Sequence, residues 1–129
     1  MFTSTKATNS FAVDDVQKAR EFYEQTLGLG TTVLDEEHGV MSIQLAGGRD
    51  TFVYAKPDFT PATYTVLNFE VDDVDAAVDE LGSRGVSFER YDGFEQDEKG
   101  IARGPGPHIA WFKDPAGNIL AVMEQPSES

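Results

Sequence analysis

The stretches FAVDDV, residues 11–16, and FEVDDV, residues 69–74, differ at one position of six and begin 58 residues apart. In both, Phe and Val alternate with smaller or polar residues, which is the periodicity of a strand. The Asp pair that follows is expected to supply an N-cap and a negatively charged first-turn residue to a helix. The repeated phrase therefore predicts the same strand-to-helix junction twice in one chain.

Apolar residues continue at helical spacing after both junctions, and a glycine follows each run. Gly28 is expected to end the first helix, and Gly82 or Gly85 the second. Three strand candidates follow each helix, at 31–34, 40–45 and 51–55 in the first half and at 86–91, 108–112 and 119–124 in the second. The sequence DPAGN, residues 114–118, predicts a tight turn between the last two strands.

The duplication predicts an α+β fold of two tandem βαβββ modules within a single domain, residues 1–129. The modules are expected at about 5–56 and 63–125, with a linker at 57–62. Two such modules side by side would form a curved mixed sheet around a central cleft. A shared pocket is therefore the first functional expectation.

Composition narrows the choice of partners. The chain has 129 residues, no cysteine and a formal net charge of −13 at pH 7. The missing cysteines exclude disulfides and thiolate metal sites, and the negative charge repels phosphate backbones and anionic membranes. No apolar run is long enough to cross a bilayer, and the first ten residues have no apolar signal core. These features predict a cytoplasmic protein with neither a nucleic-acid nor a membrane partner.

The junctions, together with FY at 22–23, LGL at 27–29 and FKDPAGN at 112–118, resemble the vicinal oxygen chelate superfamily. This superfamily contains glyoxalases, bleomycin-resistance proteins and dioxygenases. The resemblance covers nearly the whole chain, from about residue 8 to residue 124. It implies paired βαβββ modules that form a cleft, and in the enzymes of the family a divalent metal held there by His, Glu or Gln.

The resemblance also implies where those ligands would stand in this chain. The four positions are occupied by Thr8, Val53 (or Tyr54, if the register slips by one), Val66 and Ala121. Valine and alanine have no lone pair to offer a metal, and a single threonine is insufficient. The two histidines, His38 and His108, have no partner at ligand spacing. We therefore expect no metal, no cofactor and no catalytic residue of the family type.

Strand alternation indicates which residues face the cleft instead. Phe11, Phe69 and Phe112 are expected to face the helices, so their strand neighbours point the other way. The predicted ligand-binding residues, including the four positions above, are mostly apolar with a few polar groups: Thr8, Ser10, Val53, Val66, Asn68, Glu70, Ile109, Trp111, Ala121 and Met123. Such a lining is typical of sites for organic ligands.

Three features leave alternatives open. Trp111 is expected either to stack on a flat or cationic ligand or to pack in the core. Asn68 and Glu70 are expected either to contact ligand or to pair with Lys6 or Arg90. The polar segment 93–108 is either a lid over the cleft or an ordinary loop, with Phe94 and Ile101 as the apolar residues that would touch a ligand or a second subunit.

The favoured interpretation is a metal-free protein that sequesters a small organic molecule, cationic or neutral, as bleomycin-resistance proteins do. The alternative is a glyoxalase- or dioxygenase-type enzyme with an atypical or degenerate metal site, or with unusual acid–base residues such as Glu70. A third interpretation is a domain whose dimer surface is its function. Short two-module chains of this family usually dimerise, so the resemblance implies a homodimer.

Overall fold

A computed structural model describes residues 1–104 and 106–124 of the chain. The chain separates into two compact units, Met1–Pro61 and a second unit that begins at Ala62. The boundary falls inside the predicted linker, 57–62. Pro105, in the predicted segment 93–108, and residue 125, at the predicted end of the second module, lie outside the described residues.

The first unit is a βαβββ module. Its order is β1 (Asn9–Val13), α1 (Val16–Glu21), a π-helical turn (Phe22–Thr26), β2 (Gly30–Asp35), β3 (Val40–Leu45) and β4 (Arg49–Ala55). The strands form one sheet in the order β1-β4-β3-β2, in which β1 runs parallel to β4 and the other pairs are antiparallel. The three strands predicted after the first helix are confirmed, with β2 and β4 slightly longer than expected.

The second unit repeats the arrangement with one strand fewer. It contains β5 (Thr65–Glu70), α2 (Val74–Ser83), β6 (His108–Lys113) and β7 (Ile119–Glu124). The sheet order is β5-β7-β6, with β5 parallel to β7 and β6 antiparallel to it. The strand predicted at 86–91 is wrong: within it only Phe88 forms a bridge, opposite Phe112. The α+β prediction holds, as two small mixed sheets.

The repeated Asp pairs cap the helices as expected, with one correction. The side chain of Asp15 accepts a hydrogen bond from Lys18 N, and that of Asp73 accepts one from Ala76 N, which makes the second Asp of each pair the N-cap. Neither pair contributes a residue to the first turn, because the first Asp precedes the cap. Gly85, with φ of 91°, lies just beyond α2, whereas Gly82 lies inside it.

One face of each sheet carries the apolar core. In the first unit Phe11 lies beside Val53 on β4, and its ring centroid is 6.1 Å from that of the buried Tyr23. In the second unit Leu67, Leu120 and Phe112 lie side by side across β5, β7 and β6. All three are buried. Helix α2 packs against β6 and β7 with its buried residues Val74, Val78 and Leu81. Because side chains alternate along a strand, the residues between these core positions lie on the opposite face of each sheet.

Candidate functional site

The second unit contains a cavity of 680 Å³ between strand β6 and the segment before it. Trp111 and Ile109 border it from the strand. The remaining lining residues belong to the segment that precedes β6: Gly93, Phe94, Glu95, Gln96, Asp97, Ile101, Ala102, Arg103, Gly104 and Pro107. The volume lies within the range of about 300–1,000 Å³ that small-molecule sites occupy.

Trp111 forms the aromatic side of this cavity. Its ring centroid is 5.5 Å from that of Tyr91, at 75°, and 5.1 Å from that of Phe94, at 52°. Phe94 is 56% exposed, so an apolar ring stands at the mouth of the cavity. Ile101, which was expected to touch a ligand or a second subunit, borders the cavity but is 0% exposed. A flat apolar surface is therefore available at Trp111 and Phe94.

The ring of Tyr91 packs edge-on against Trp111, and its buried hydroxyl has no hydrogen-bond partner among the described residues. Burial raises the pKa of Tyr91, the negative charge of Glu89 raises it further, and Lys113 opposes both. The phenol therefore stays neutral at physiological pH. It supports the indole ring by packing and by its edge-on contact.

The segment that precedes β6 and borders the cavity is held by side-chain-to-backbone hydrogen bonds. The amide of Gln96 accepts from Tyr91 N and donates to the carbonyls of Glu89 and Gly100. The carboxylate of Asp97 accepts from the backbone N–H of Lys99 and of Ile101, both at 2.9 Å. Ala102 exchanges two backbone hydrogen bonds with Ile109 of β6. We call residues 96–103 the wall segment.

Charged side chains join the wall segment to α2. Arg103 Nε is 2.8 Å from Asp97 Oδ2, and Arg103 Nη2 is 2.6 Å from Asp75 Oδ1. Lys99 Nζ is 3.1 Å from Asp79 and 3.5 Å from Asp75. We call these five residues the α2 clasp. It crosses from the helix to the segment that borders the cavity.

The pKa values within the α2 clasp favour the charged forms. The hydrogen bond from Arg103 is the main cause that lowers the pKa of Asp75. Burial acts to raise the pKa of Asp97, but the hydrogen bonds from Arg103 and from the Ile101 and Lys99 amides outweigh it, so that this pKa is lowered. The folded-state pKa values of Asp75 and Asp97 lie below the ordinary Asp value of about 3.9, so the ionised carboxylates stabilise the folded state above that pH. This stabilisation is lost as the pH falls through the lowered pKa values.

Six of the predicted ligand-binding residues share one face of the second sheet. The register places Asn68 beside Ala121 and Trp111 in one row. Glu70, Met123 and Ile109 form the next row. Val66 falls at an irregularity of β5, where the pairing shifts between Thr65 and Leu67. Of the partners considered for Asn68 and Glu70, Arg90 instead donates to the carbonyls of Asp97 and Glu98.

The other three predicted residues belong to the first unit, and they differ in their exposure to solvent. Thr8 precedes β1, and Ser10 lies on β1 beside Phe52; both side chains are exposed. Val53 pairs with Phe11 and is completely buried on the apolar face of this sheet. The expectation that Val53 faces the cleft is therefore corrected: Val53 lies on the core face of β4, and the next residue, Tyr54, lies on the opposite face.

The family's metal-ligand positions do not fit a metal in this chain. Val53 and Ala121 are hydrocarbon side chains with no exposed surface, Val66 is a partly exposed hydrocarbon side chain, and Thr8 offers one neutral hydroxyl. Among residues 1–104 and 106–124 no three His, Asp or Glu side chains are grouped to hold a metal ion. His38 is 72% exposed and pairs with Asp35 at 2.7 Å. No step of the chemistry is therefore assigned to a metal.

A second depression, of 630 Å³, lies in the first unit between α1 and β2. Its lining is mixed in charge, with Arg20, Asp35 and Glu36 beside Val16 and Val33. Arg20 Nε is shared between Glu24 and the hydroxyl of Thr31. The sequence pattern did not indicate this groove, because it depends on how β2 lies along the helix.

Sequence reasoning also missed Gln96 and Asp97, which fix the wall segment. The available signal was the arrangement of an Asp followed three residues later by Gly100, which is typical of a turn that the Asp side chain closes. Lys99 and Arg103 follow at positions from which they meet α2. Their contacts with Asp75 depend on tertiary packing, which no local pattern encodes.

Comparison with known families now identifies the class of protein. The family model described as Glyoxalase/Bleomycin resistance protein/Dioxygenase superfamily matches residues 7–122, so the chain belongs to this superfamily. The resemblance inferred from the duplicated junction and the FKDPAGN turn is thereby confirmed. No curated protein matches the chain.

Solved structures show the same fold at low sequence identity. TnmS3, an antibiotic binding protein from Streptomyces sp. CB03234, is 23% identical, with a TM-score of 0.70 over 96% of this chain and 99% of that one. A glyoxalase family protein from Bacillus anthracis is 22% identical, with a TM-score of 0.70 over 98% and 100% of the two chains. The fosfomycin resistance protein FosX from Listeria monocytogenes is 13% identical, with a TM-score of 0.71 over 95% and 92%.

None of the described helices is long and apolar enough to cross a membrane.

Proposed function

We propose that this chain is a metal-free binding protein for a small organic molecule, cationic or neutral, which it sequesters without chemical change. The observation that carries the proposal is the 680 Å³ cavity beside Trp111, with the exposed ring of Phe94 at its mouth. Aromatic surface with a few polar groups around it is typical of sites for organic ligands. The net charge of −13 favours the approach of a cation.

The remaining cleft-facing residues of β5, β6 and β7 extend this surface in the proposal. Asn68 and Glu70 supply polar contacts, and Ile109 and Met123 supply apolar ones. Ala121 lies in the row of Asn68 and Trp111 but has no exposed surface of its own. The TnmS3 structure is that of an antibiotic binding protein, which supports a small organic ligand for this chain as well. We extend the proposal to a homodimer in the cytoplasm. Light scattering at micromolar concentration is expected to give twice the mass of one chain, and a monomeric mass would reject this part.

Ligand entry is expected to change the fluorescence of Trp111, the only tryptophan in the chain. We would titrate the protein with N-methylacridinium and with uncharged acridine, and measure binding by fluorescence and calorimetry. Replacing Trp111 with Ala is expected to weaken binding by about 0.5–2 kcal/mol, because stacking or cation–π contact is lost. Trp111→Phe is the matched control and should retain most of the affinity. Equal affinity of the Ala variant and the parent for every ligand that binds would show that Trp111 is only structural.

Metal content separates the binding protein from the enzyme alternative. Because Thr8, Val53, Val66 and Ala121 do not supply a ligand set, the purified protein is expected to hold no stoichiometric Zn, Fe, Mn or Ni. Elemental analysis after mild dialysis makes the measurement. About one metal ion per chain, in the 1:1 ratio of a mononuclear site, would contradict the proposal and favour a glyoxalase- or dioxygenase-type enzyme.

A further inference from the structure

Asp75 lies outside the Trp111 cavity yet is connected to its wall. It stands in the first turn of α2 and does not border the cavity. Its carboxylate meets Arg103 Nη2 at 2.6 Å and Lys99 Nζ at 3.5 Å. One helix residue therefore contacts both cations of the wall segment.

Arg103 carries this contact into the backbone of the wall. Its Nε is bonded to Asp97 Oδ2, and Asp97 Oδ1 accepts from the amides of Lys99 and Ile101. A planar guanidinium suits this role because it donates to two carboxylates in fixed directions. A continuous path of contacts thus runs from Asp75 to the wall backbone, beside the separate pair of Lys99 with Asp79.

The wall has a second attachment, which does not involve charge. Ala102 exchanges backbone hydrogen bonds with Ile109, and Ile101 is completely buried. Loss of the charged path therefore loosens the wall without unfolding the unit. Exposed ion pairs typically contribute little, but here several act on one short segment.

We propose that Asp75 is a positioning residue for the Trp111 cavity, which acts through Arg103 and Lys99 to hold the wall segment, residues 96–103, in the arrangement that binds ligand. That the cavity binds a ligand rests on the proposed function, whereas the fixing of the wall segment rests on the contacts of the α2 clasp. The wall becomes salt-sensitive as a consequence, because screening weakens half-exposed ion pairs. Ligand affinity then depends on ionic strength even for an uncharged ligand.

Amide hydrogen exchange of the full chain, followed by NMR, tests the contact without any ligand. In Asp75→Asn the amides of Ile101 and Ala102 are expected to exchange about two- to fivefold faster, which is the change in opening equilibrium that one such pair supplies. Asp75→Glu keeps the carboxylate and should restore slow exchange. In the parent, about 1 M NaCl should accelerate the same amides, whereas Asp75→Asn should respond less to salt, because only the Lys99–Asp79 pair then still joins the wall segment to α2.

Glu80→Gln is the matched control. It removes the same charge from the same helix and breaks a pair of similar geometry, Glu80–Arg84 at 2.8 Å, which does not touch the wall. Exchange at Ile101 and Ala102 should remain at the parental rate. Equal acceleration in Glu80→Gln and Asp75→Asn, or none in Asp75→Asn, would overturn the proposal.

Binding of uncharged acridine tests whether the position of the wall segment affects ligand affinity. A neutral ligand is used because removing the Asp75 charge does not directly change its electrostatic attraction to the protein. Asp75→Asn should weaken acridine binding, and Glu80→Gln should leave it unchanged. If exchange at the wall is faster but acridine binds both variants equally, Asp75 does not position the ligand site and the proposal is overturned. If acridine and N-methylacridinium both fail to bind the parent, the proposed function fails, and the exchange measurement still decides whether Asp75 holds the wall.

Discussion

Replacing Phe112 with Ala is expected to lower the free energy of unfolding by about 3–5 kcal/mol, the range for deleting a fully buried aromatic ring. The ring has 0% exposure, lies beside Leu120 in the register of β6 and β7, and contacts Phe88 edge-on at 5.8 Å. Its removal leaves a cavity against α2 that the rigid sheet cannot close. Urea unfolding followed by circular dichroism measures the change.

The neighbouring residue Trp111 provides the control for this prediction. It is half-buried on the opposite face of β6, so Trp111→Ala should cost much less stability while reducing ligand binding. The contrast between adjacent residues is a consequence of strand alternation. If the two Ala variants were equally destabilised, Trp111 would be a core residue, and the cavity would not be the ligand site.

Replacing Asp114 with Ala is expected to lower the free energy of unfolding by about 2–4 kcal/mol, because three hydrogen bonds to a carboxylate are lost together. The side chain is 4% exposed. Its Oδ1 accepts from the amides of Ala116 and Asn118, and its Oδ2 accepts from the side chain of Asn118. The turn would then have buried donors without acceptors, just where β6 passes into β7.

Two substitutions calibrate this second prediction. Asp114→Asn keeps an oxygen for the backbone amides and should recover part of the loss. Asp92→Ala removes an exposed carboxylate from the same unit and should change stability by no more than about 0.5 kcal/mol. Thermal and urea unfolding give both values. A loss in Asp114→Ala as small as that in Asp92→Ala would show that the turn forms without its carboxylate.

The repeated junctions made most of the fold predictable. Alternation in FAVDDV and FEVDDV, together with an Asp cap, is a local signal that tertiary packing reinforces. The same alternation at 86–91 predicted a strand that the chain does not form. There the side chain of Gln96 bonds Glu89 O and Tyr91 N, the backbone groups that a neighbouring strand would otherwise use. A side chain seven residues away in sequence from the carbonyl that it bonds gives no periodic signal.

The strand faces of the predicted site residues were predictable only where register followed alternation. In the second sheet Asn68, Ala121 and Trp111 lie in one row because β5, β6 and β7 keep their alternation from Leu67 onward. Val53 was assigned by counting from a motif, and a count with an error of one residue exchanges the two faces of a strand. The α2 clasp joins residues 28 positions apart, Asp75 and Arg103, and only the folded chain brings them together.

The π-helical turn, Phe22–Thr26, explains how the two copies tolerate unequal lengths. From the capping Asp15 to Gly28 the first copy advances thirteen residues, whereas from Asp73 to Gly85 the second advances twelve. The extra residue is absorbed where Leu27 N bonds Phe22 O, five positions back instead of four. Both copies then leave their helix through a glycine with positive φ. Insertion of one residue into this module can thus remain confined to a single widened turn, and the strands on either side keep their phase.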